Sequence, residues 1–481
     1  MRASRMKGLL LVPFLLFLFT VSASAQNFVY TDNNTVGANS VTAFSIGSNG
    51  ALTNIGTFAT GGSGAGAGFT AANRARVCAT GNRLYVSNGG SGDVSGFDIN
   101  TITGALSLVP GSPFATGGTA GAGISIDCTP NGQFLIAANA GSSNITVFSI
   151  AANGALTPVA GSPFAAGGVN PDGVKVAPNG RFLSVALLSS DAVAMFSIAS
   201  NGMLTPVAGS PFASPAIGAA AGVDINCESN RLFVSQNSNF GTNVDVYSIG
   251  SSGGLTLVQT SSNSTAGKNS NVCALSPNQQ FLFVSNQEIA SVTVFVVASN
   301  GTLSLVPGSP FGGTGGDPSG LATNAAGTFL FTANSDESNV TSFSIAGNGA
   351  LALVGNFATG RPLSSGLASL AVFPAKPGFD VCLQDDANPG LLFQFSSTSG
   401  AYLFTDCGPK GFALCGKGTV STKNVCTIEL RDNRVDRSVT ASLNQCQRSG
   451  AATIQVVRNL VRVTYVLTDR KTVDDSCTCP P

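Results

Sequence analysis

Residues 123–159, GISIDCTPNGQFLIAANAGSSNITVFSIAANGALTPV, contain four short apolar runs separated by turn signals. The runs predict strands at 123–128, 134–138, 144–150 and 156–159. The Asn-Gly pairs at 131–132 and 153–154 supply the positive φ angles that tight hairpin turns need. Apolar residues alternate with a period of two in the third run, as in a half-buried strand. The stretch therefore predicts one four-stranded antiparallel unit.

The second half of this unit recurs along the chain. Each copy has an aromatic residue, a short β-like run, Asn-Gly or a close variant, and then a leucine. The seven leucines are Leu52, Leu106, Leu156, Leu204, Leu255, Leu303 and Leu351. Their mean spacing of about fifty residues is within the range of propeller blades. The repeat predicts seven blades.

The two ends of the repeat array indicate a closed ring. Residues 28–33 match a second strand such as 84–88, so the first blade lacks a first strand. Residues 366–373 form a spare first strand after the seventh blade. Pairing the two segments would remove the exposed sheet edges. We predict an all-β fold in which residues 26–375 form a seven-bladed β-propeller closed by pairing of the N- and C-terminal strands.

The N-terminus has the features of an export signal. Arg2, Arg5 and Lys7 precede an apolar run at 9–19, and Ala-Ser-Ala at 23–25 is a small-residue cleavage site. Residues 1–25 are therefore predicted to be a signal peptide. We expect a secreted protein (periplasmic, cell-surface or extracellular) with no membrane span once the signal is removed.

The composition changes near Lys376. Of the 46 charged residues, 22 lie in 376–481, and so do seven of the eleven cysteines. Short alternating runs there predict strands. We expect residues 376–481 to form a small disulfide-rich all-β domain with about three disulfides. Its cysteines are Cys382, Cys407, Cys415, Cys426, Cys446, Cys477 and Cys479.

Four further cysteines lie on predicted first strands of the propeller: Cys78, Cys128, Cys227 and Cys273. Cys78 and Cys128 fall in consecutive blades, as do Cys227 and Cys273. One hypothesis is a bridge within each pair, and the alternative is four buried thiols that act as small apolar residues. All eleven cysteines are candidates for disulfides, but an odd number leaves at least one thiol unpaired within the chain.

Several phrases of the repeat resemble a known family. LYVSN at 84–88, LFVSN at 282–286, NGALTPV at 153–159 and the recurrent GSPF are similar to the lactonase-type seven-bladed propellers. These include 6-phosphogluconolactonase-like proteins and YVTN-repeat surface proteins. The resemblance covers residues 27–375 and implies the propeller fold, with lactone hydrolysis as one activity. Related propellers often carry histidine near the channel, whereas this chain has none, so no catalytic residue is transferred. GSPF occurs at 111–114, 161–164, 209–212 and 308–311, and we expect its phenylalanine to fill the space between neighbouring blades.

Charged residues stand out because they make up only 10% of the chain, against about 25% in soluble proteins. The formal net charge of zero argues against a nucleic-acid partner. Candidate ligand-binding residues in the loops that precede first strands are Arg74, Asp172, Lys268, Asp317 and Arg361. Arg76, Asp127, Lys175 and Asp224 lie on the strands that follow. Either these charges line a binding site at the channel mouth, or they are solvated loop charges and local salt bridges.

Three functions remain open. The main prediction is a monomeric binding or interaction module for a small polar ligand or a protein partner, without a cofactor or metal. The first alternative is a lactone hydrolase with Asp172 or Asp317 as the base and Arg361 or Arg74 as the oxyanion donor. The second alternative is a structural cell-surface protein. The sequence leaves catalysis uncertain and favours a non-enzymatic role.

Overall fold

The computed structural model describes most of the repeat region and a set of later strands. The described residues are 27–66, 75–78, 82–215, 218–226, 229–238, 241–263, 269–277, 279–298, 300–324, 327–360, 369–373, 379–385, 392–398, 401–406, 413–424, 427–432, 437–443, 449–458 and 461–473. The predicted signal peptide therefore lies outside the described residues. Among those that are described, no helix has the length and apolar character needed to cross a bilayer.

The repeat region forms seven antiparallel sheets, which are the blades of a propeller. We number the blades in chain order and count the strands of each blade from the inside. The first strands of blades 1 to 7 are Leu370–Phe373, Ala75–Cys78, Ile124–Cys128, Pro171–Val176, Ala219–Ile225, Ser270–Leu275 and Pro318–Thr323. The second strands are Asn27–Asp32, Arg83–Asn88, Phe134–Asn139, Phe182–Leu187, Arg231–Asn237, Phe281–Asn286 and Phe329–Asn334. A 3-10 turn, Leu188–Ser190, follows the second strand of blade 4.

The outer half of each blade is a hairpin. The third strands are Ser40–Ile46, Asp93–Ile99, Asn144–Ile150, Ala192–Ile198, Thr242–Ile249, Ser291–Val297 and Asn339–Ile345. The fourth strands are Leu52–Ala59, Leu106–Leu108, Leu156–Pro158, Leu204–Pro206, Leu255–Asn263, Leu303–Leu305 and Leu351–Ala358. The prediction of seven four-stranded units is confirmed.

The two ends of the repeat array close the ring, as predicted. Asn27–Asp32 pairs antiparallel with Leu370–Phe373, with Phe28 opposite Phe373 and Thr31 opposite Leu370. The backbone N–H of Asp32 also donates to the carbonyl oxygen of Ser369 at 3.1 Å. Blade 1 therefore combines strands from both ends of the propeller sequence.

Seven apolar clusters fill the seven spaces between neighbouring blades. The period-two alternation explains this arrangement, because alternate side chains of one strand face the two neighbouring blades. In the second strand of blade 3, for example, Leu135 belongs to the cluster shared with blade 2, whereas Ile136 belongs to the cluster shared with blade 4. The core is thus a ring of interfaces between blades.

The GSPF phrases interrupt the fourth strand, rather than forming simple linkers between blades. After the break, the chain pairs again with the third strand over two residues. In blade 3 these are Phe164–Ala165, which pair with Asn144–Ile150. The serine hydroxyl replaces the lost strand contact, since Val147 N–H donates to Ser162 Oγ at 3.0 Å. Phe164 packs against the cluster between blades 3 and 4, as expected for this phenylalanine. The equivalent paired residues in the other three interrupted blades are Phe114–Ala115, Phe212–Ala213 and Phe311–Gly312.

A side-chain amide closes the turn after the second strand in six of the seven blades. Asn286 is typical: its Nδ2 donates to Ser291 Oγ at 3.1 Å and to Thr293 Oγ1 at 2.9 Å. Leu187 takes this position in blade 4. The asparagine of the LYVSN and LFVSN phrases is therefore structural. The other five amides are Asn33, Asn88, Asn139, Gln236 and Asn334.

The C-terminal region is described for its backbone only. Eight strands pair antiparallel in chain order, and the last also pairs with the first, so that the sheet closes on itself. The strands are Phe379–Asp385, Leu392–Thr398, Ala401–Asp406, Ala413–Asn424, Thr427–Asp432, Arg437–Leu443, Ser449–Arg458 and Val461–Val473. The strand prediction for this region is confirmed, whereas the predicted disulfides lie outside what the structure describes.

Candidate functional site

The seven first strands form a ring in which each contacts the next. We call the end at which these strands begin the mouth of the propeller and the end at which they finish its base. The second strands run in the opposite direction, so they end at the mouth. Loops that enter first strands and turns that leave second strands therefore meet there, and such convergent loops are a common place for binding sites.

Four consecutive first strands carry a β-bulge near the mouth. The register with the second strand shifts between Pro171 and Val174 in blade 4, and at the equivalent place in blades 5, 6 and 7. The first strand of blade 3 pairs in regular register. A bulge adds one residue and redirects a side chain, and bulges are common beside active sites. The residues at the bulges are Asp172, Ala221, Asn271 and Ser319.

Close contacts between neighbouring blades hold the bulges in place. Ser125 Oγ donates to the carbonyl oxygen of Asp172, and Ser235 Oγ donates to that of Asn271 at 3.0 Å. A Cβ atom added to Gly222 would overlap this Asn271 oxygen. Glycine is needed here because the neighbouring backbone leaves no room for a side chain. The bulged segments are therefore fixed by backbone packing.

Asp317 lies at the start of the first strand of blade 7. It adopts φ +52°, a left-handed conformation in which aspartate is tolerated better than most residues. Its carbonyl oxygen accepts from the Ser335 N–H at 3.1 Å. Burial, with a smaller contribution from the Asp336 charge, raises the pKa of the Asp317 carboxyl above its ordinary value of 3.8, whereas a hydrogen bond from Ser335 opposes the shift. Asn170 and Asn269 have the same conformation before the first strands of blades 4 and 6, so the positive φ belongs to the blade geometry, whereas a raised pKa occurs often at functional sites.

Two of the five predicted mouth residues can be placed. Asp172 is at the bulge of blade 4 with its side chain completely buried, and Asp317 is half-buried in blade 7. Arg74, Lys268 and Arg361 lie outside the described residues. The side chains at the described bulges of blades 4, 6 and 7 are polar.

The charges on the following strands form salt bridges between blades, towards the base. Arg76 Nε lies 2.6 Å from Asp127 Oδ1, and Lys175 Nζ lies 2.8 Å from Asp224 Oδ1. All four residues lie opposite the third residue of their second strand. Four consecutive blades thus alternate in charge at one equivalent position. These residues behave as local salt bridges, which was one of the two interpretations of the sequence.

The cysteines of the propeller form one bridge where two were considered. Cys78 and Cys128 are joined across blades 2 and 3, with their Cα atoms 5.7 Å apart. Cys273 is a free, buried thiol, so the hypothesis of a Cys227–Cys273 bridge is wrong, and Cys227 itself lies outside the described residues. Burial raises the pKa of the Cys273 thiol to about 12, which keeps it protonated and unreactive.

Asn271 and Ser319 were not predicted as mouth residues. A usable signal existed, because the bulges of blades 4, 5 and 7 read Asp-Gly, Ala-Gly and Ser-Gly. A glycine inside a strand pattern suggests a bulge or a close backbone approach. Asn271 precedes valine and lacks this signal. It also carries no charge, so a search for charged residues overlooks it.

Comparisons with known proteins agree with the fold. The family described as "Lactonase, 7-bladed beta-propeller" matches residues 71–217 and 230–364, which is more than half of the chain. The sequence matches none of the curated proteins.

Solved structures from several bacteria share this architecture. A periplasmic gluconolactonase from Pseudomonas aeruginosa is 17% identical, with a TM-score of 0.61. The match covers 73% of this chain and 100% of the Pseudomonas chain. A Bacteroides fragilis protein, provisionally described as a 6-phosphogluconolactonase, is 21% identical with a TM-score of 0.61 over 74% of this chain and 99% of its own. A Bacteroides uniformis protein with the same provisional description is 17% identical, with a TM-score of 0.61 over 72% and 99%. At these identities the likeness establishes the fold.

Proposed function

We propose, from the premise that this chain belongs to the Lactonase family of seven-bladed β-propellers, that it hydrolyses a sugar-derived lactone at the mouth of blades 4 to 7. Two solved relatives of the same fold are described as a gluconolactonase and, provisionally, a 6-phosphogluconolactonase. These names support the first alternative drawn from the sequence over the non-catalytic module, which stays an untested prediction.

The observation that carries this proposal is the raised pKa of the half-buried Asp317 carboxyl at the mouth. Lactone hydrolysis needs a base that takes a proton from water as the oxygen attacks the ring carbonyl. The ring C–O bond then breaks, and the leaving oxygen takes that proton back from the base to become a hydroxyl. A carboxylate with a raised pKa is a stronger base than an ordinary one. Asp317 combines such a pKa with a place at the mouth.

Asp317 suits the role of base better than Asp172. Asp317 is half-buried, so water can reach its carboxylate, and its pKa is raised above the ordinary value. In this proposal Asp172 shapes the blade 4 side of the mouth and does not exchange a proton with substrate. No histidine is required, which accommodates the absence of that residue from the chain.

Export fits this function. The Cys78–Cys128 disulfide is of the kind that persists outside the cytoplasm, and one solved relative is described as periplasmic. We propose that the protein acts after export, on lactones outside the inner membrane.

A pH-stat assay of the purified protein tests the proposal. D-Glucono-1,5-lactone and its 6-phosphate are the substrates, and spontaneous hydrolysis is subtracted. We expect turnover by the wild type and a loss of about 100-fold or more in kcat/KM for Asp317→Asn, as for removal of a general base. Asp98→Asn is the matched control, because Asp98 pairs with Arg83 near the base and is half exposed. Absence of wild-type turnover above the spontaneous rate would contradict the proposal.

A further inference from the structure

We propose that Asn271 is a substrate-binding residue whose side-chain amide hydrogen-bonds the hydroxyl groups of the lactone. This inference rests on the proposed function and specifies its substrate class. It concerns a residue of blade 6, next to the blade that holds Asp317.

The hydrogen-bonding state of Asn271 is the first observation. The residue has no exposed surface, and neither Nδ2 nor Oδ1 has a hydrogen-bond partner in the described protein. Among the described residues it is the one buried amide with both its donor and its acceptor unpaired. Buried polar groups are nearly always paired, so each exception needs an explanation.

The nearby amides show that the fold can satisfy such groups. Asn286 lies in the adjacent strand of the same blade, opposite Ser270. Its Nδ2 has two hydroxyl acceptors, and its Oδ1 accepts from Ser270 Oγ at 3.1 Å. Asn271 follows Ser270 directly in the chain and has no such partners. A buried amide without hydrogen bonds destabilises the folded chain. Positions at which a protein leaves a buried polar group unpaired are often functional.

The backbone around Asn271 is held rigidly. Ser235 Oγ of blade 5 donates to its carbonyl oxygen, and the next N–H, that of Val272, donates to Ser285 Oγ at 3.3 Å. These contacts fix the bulge that holds Asn271, the second residue of its strand, near the mouth. A binding group held by its surroundings loses little freedom when the ligand arrives.

The chemistry of the amide indicates the ligand group. Nδ2 offers two donors and Oδ1 offers an acceptor. A hydroxyl both donates and accepts, so a pair of hydroxyls on a sugar ring can satisfy both atoms, whereas a phosphate cannot donate to Oδ1 when fully ionised. Asn271 therefore points to recognition of the hydroxylated ring of the lactone.

Matched substitutions test this inference. Asn271→Leu keeps the approximate shape and removes both polar atoms, Asn271→Asp keeps an acceptor and removes the donors, and Asn286→Leu is the control in the same blade. The probe is D-gluconate, the hydrolysis product, titrated calorimetrically, with Tm measured in parallel. We expect both Asn271 variants to bind gluconate at least tenfold more weakly, with Tm of Asn271→Leu unchanged or raised. Asn286→Leu should lower Tm.

The outcomes separate this inference from the proposed hydrolysis. Gluconate affinity of both Asn271 variants within twofold of wild type overturns the inference, as does a wild type that binds no gluconate. A lowered Tm in Asn271→Leu together with wild-type affinity in Asn271→Asp would also overturn it, by assigning the amide a structural role. Wild-type gluconate binding that both Asn271 variants weaken, without lactone turnover, would instead leave Asn271 as a sugar-acid site and reject the hydrolase.

Discussion

The Nε atom of Arg76 lies 2.6 Å from Oδ1 of Asp127, and this ion pair joins the first strands of blades 2 and 3. The same carboxylate accepts from the N–H of Cys128 and, through Oδ2, from the N–H of Val176 in blade 4, both at 2.9 Å. One side chain thus connects three blades. Lys175, Asp224 and the Leu275 N–H repeat the arrangement across blades 4, 5 and 6.

Removal of Asp127 should destabilise the propeller more than removal of Arg76. Asp127→Ala leaves the buried N–H groups of Cys128 and Val176 without their acceptor. It should lower the free energy of unfolding by about 2–4 kcal/mol. The Arg76 side chain is 43% exposed, so Arg76→Ala should cost about 1 kcal/mol. Guanidinium unfolding of both variants measures the difference. Equal losses would show that the ion pair, and not the backbone contacts, dominates.

The stability of the protein should depend on pH through Asp317. Its raised pKa means that the folded state keeps a proton that the unfolded chain releases. The stability this confers is fully present below the ordinary value of 3.8 and is lost as the pH rises through the raised pKa. Asn does not titrate, so the Tm difference between Asp317→Asn and wild type should grow in favour of the variant as the pH rises from below 3.8 through the raised pKa. Parallel Tm curves would contradict the shift. In the active enzyme, kcat/KM should rise as Asp317 loses its proton.

Reduction should destabilise the propeller through one disulfide. The Cys78–Cys128 bridge closes a loop with a sequence separation of 50, which corresponds to about 2–4 kcal/mol of unfolding free energy. Chemical unfolding of wild type with and without reductant measures this loss. Cys78→Ala/Cys128→Ala should unfold like reduced wild type and show no response to reductant. Cys273→Ala should keep the full response, because its thiol is free.

The serines of the GSPF phrases should contribute to stability individually. Ser162→Ala removes the acceptor of the Val147 N–H and should lower the free energy of unfolding by about 1 kcal/mol. Ser149→Ala is the control, because the exposed hydroxyl of Ser149 bonds only the carbonyl of Thr157 across the outer hairpin. Thermal or chemical unfolding compares the two variants. A loss for Ser149→Ala as large as that for Ser162→Ala would contradict the assigned role of the serine.

The propeller could be predicted because local and global signals agree. The Asn-Gly turns, the period of two and the spacing of the leucines from Leu52 to Leu351 all specify the same blade. The pairing of the strand that contains Phe28 with the strand that contains Phe373 followed from counting strands, whereas its register did not. The alternating Arg76, Asp127, Lys175 and Asp224 could have been recognised as inter-blade pairs, because their spacing matches the blade repeat.

The mouth was harder to predict for physical reasons. A bulge adds one residue to a short strand and leaves the repeat spacing almost unchanged, so the bulge at Asp172 is hidden in the variation of loop length. The hypothesis of a second disulfide was wrong because Cys273 lies in the middle of its first strand, opposite Val284. Cys78 and Cys128, which do form a bridge, are each the last residue of a first strand. The role proposed for Asn271 rests on the absence of hydrogen-bond partners for its side chain. A sequence does not show which side chains are hydrogen-bonded.

A crystal structure of the wild-type protein soaked in D-gluconate tests the central claim most directly. We predict density for the sugar acid at the mouth of blades 6 and 7, with oxygens within hydrogen-bonding distance of the Asn271 amide and the Asp317 carboxylate. Gluconate bound only near Arg76 at the base, or a mouth without gluconate at a concentration that saturates binding in solution, would contradict the account.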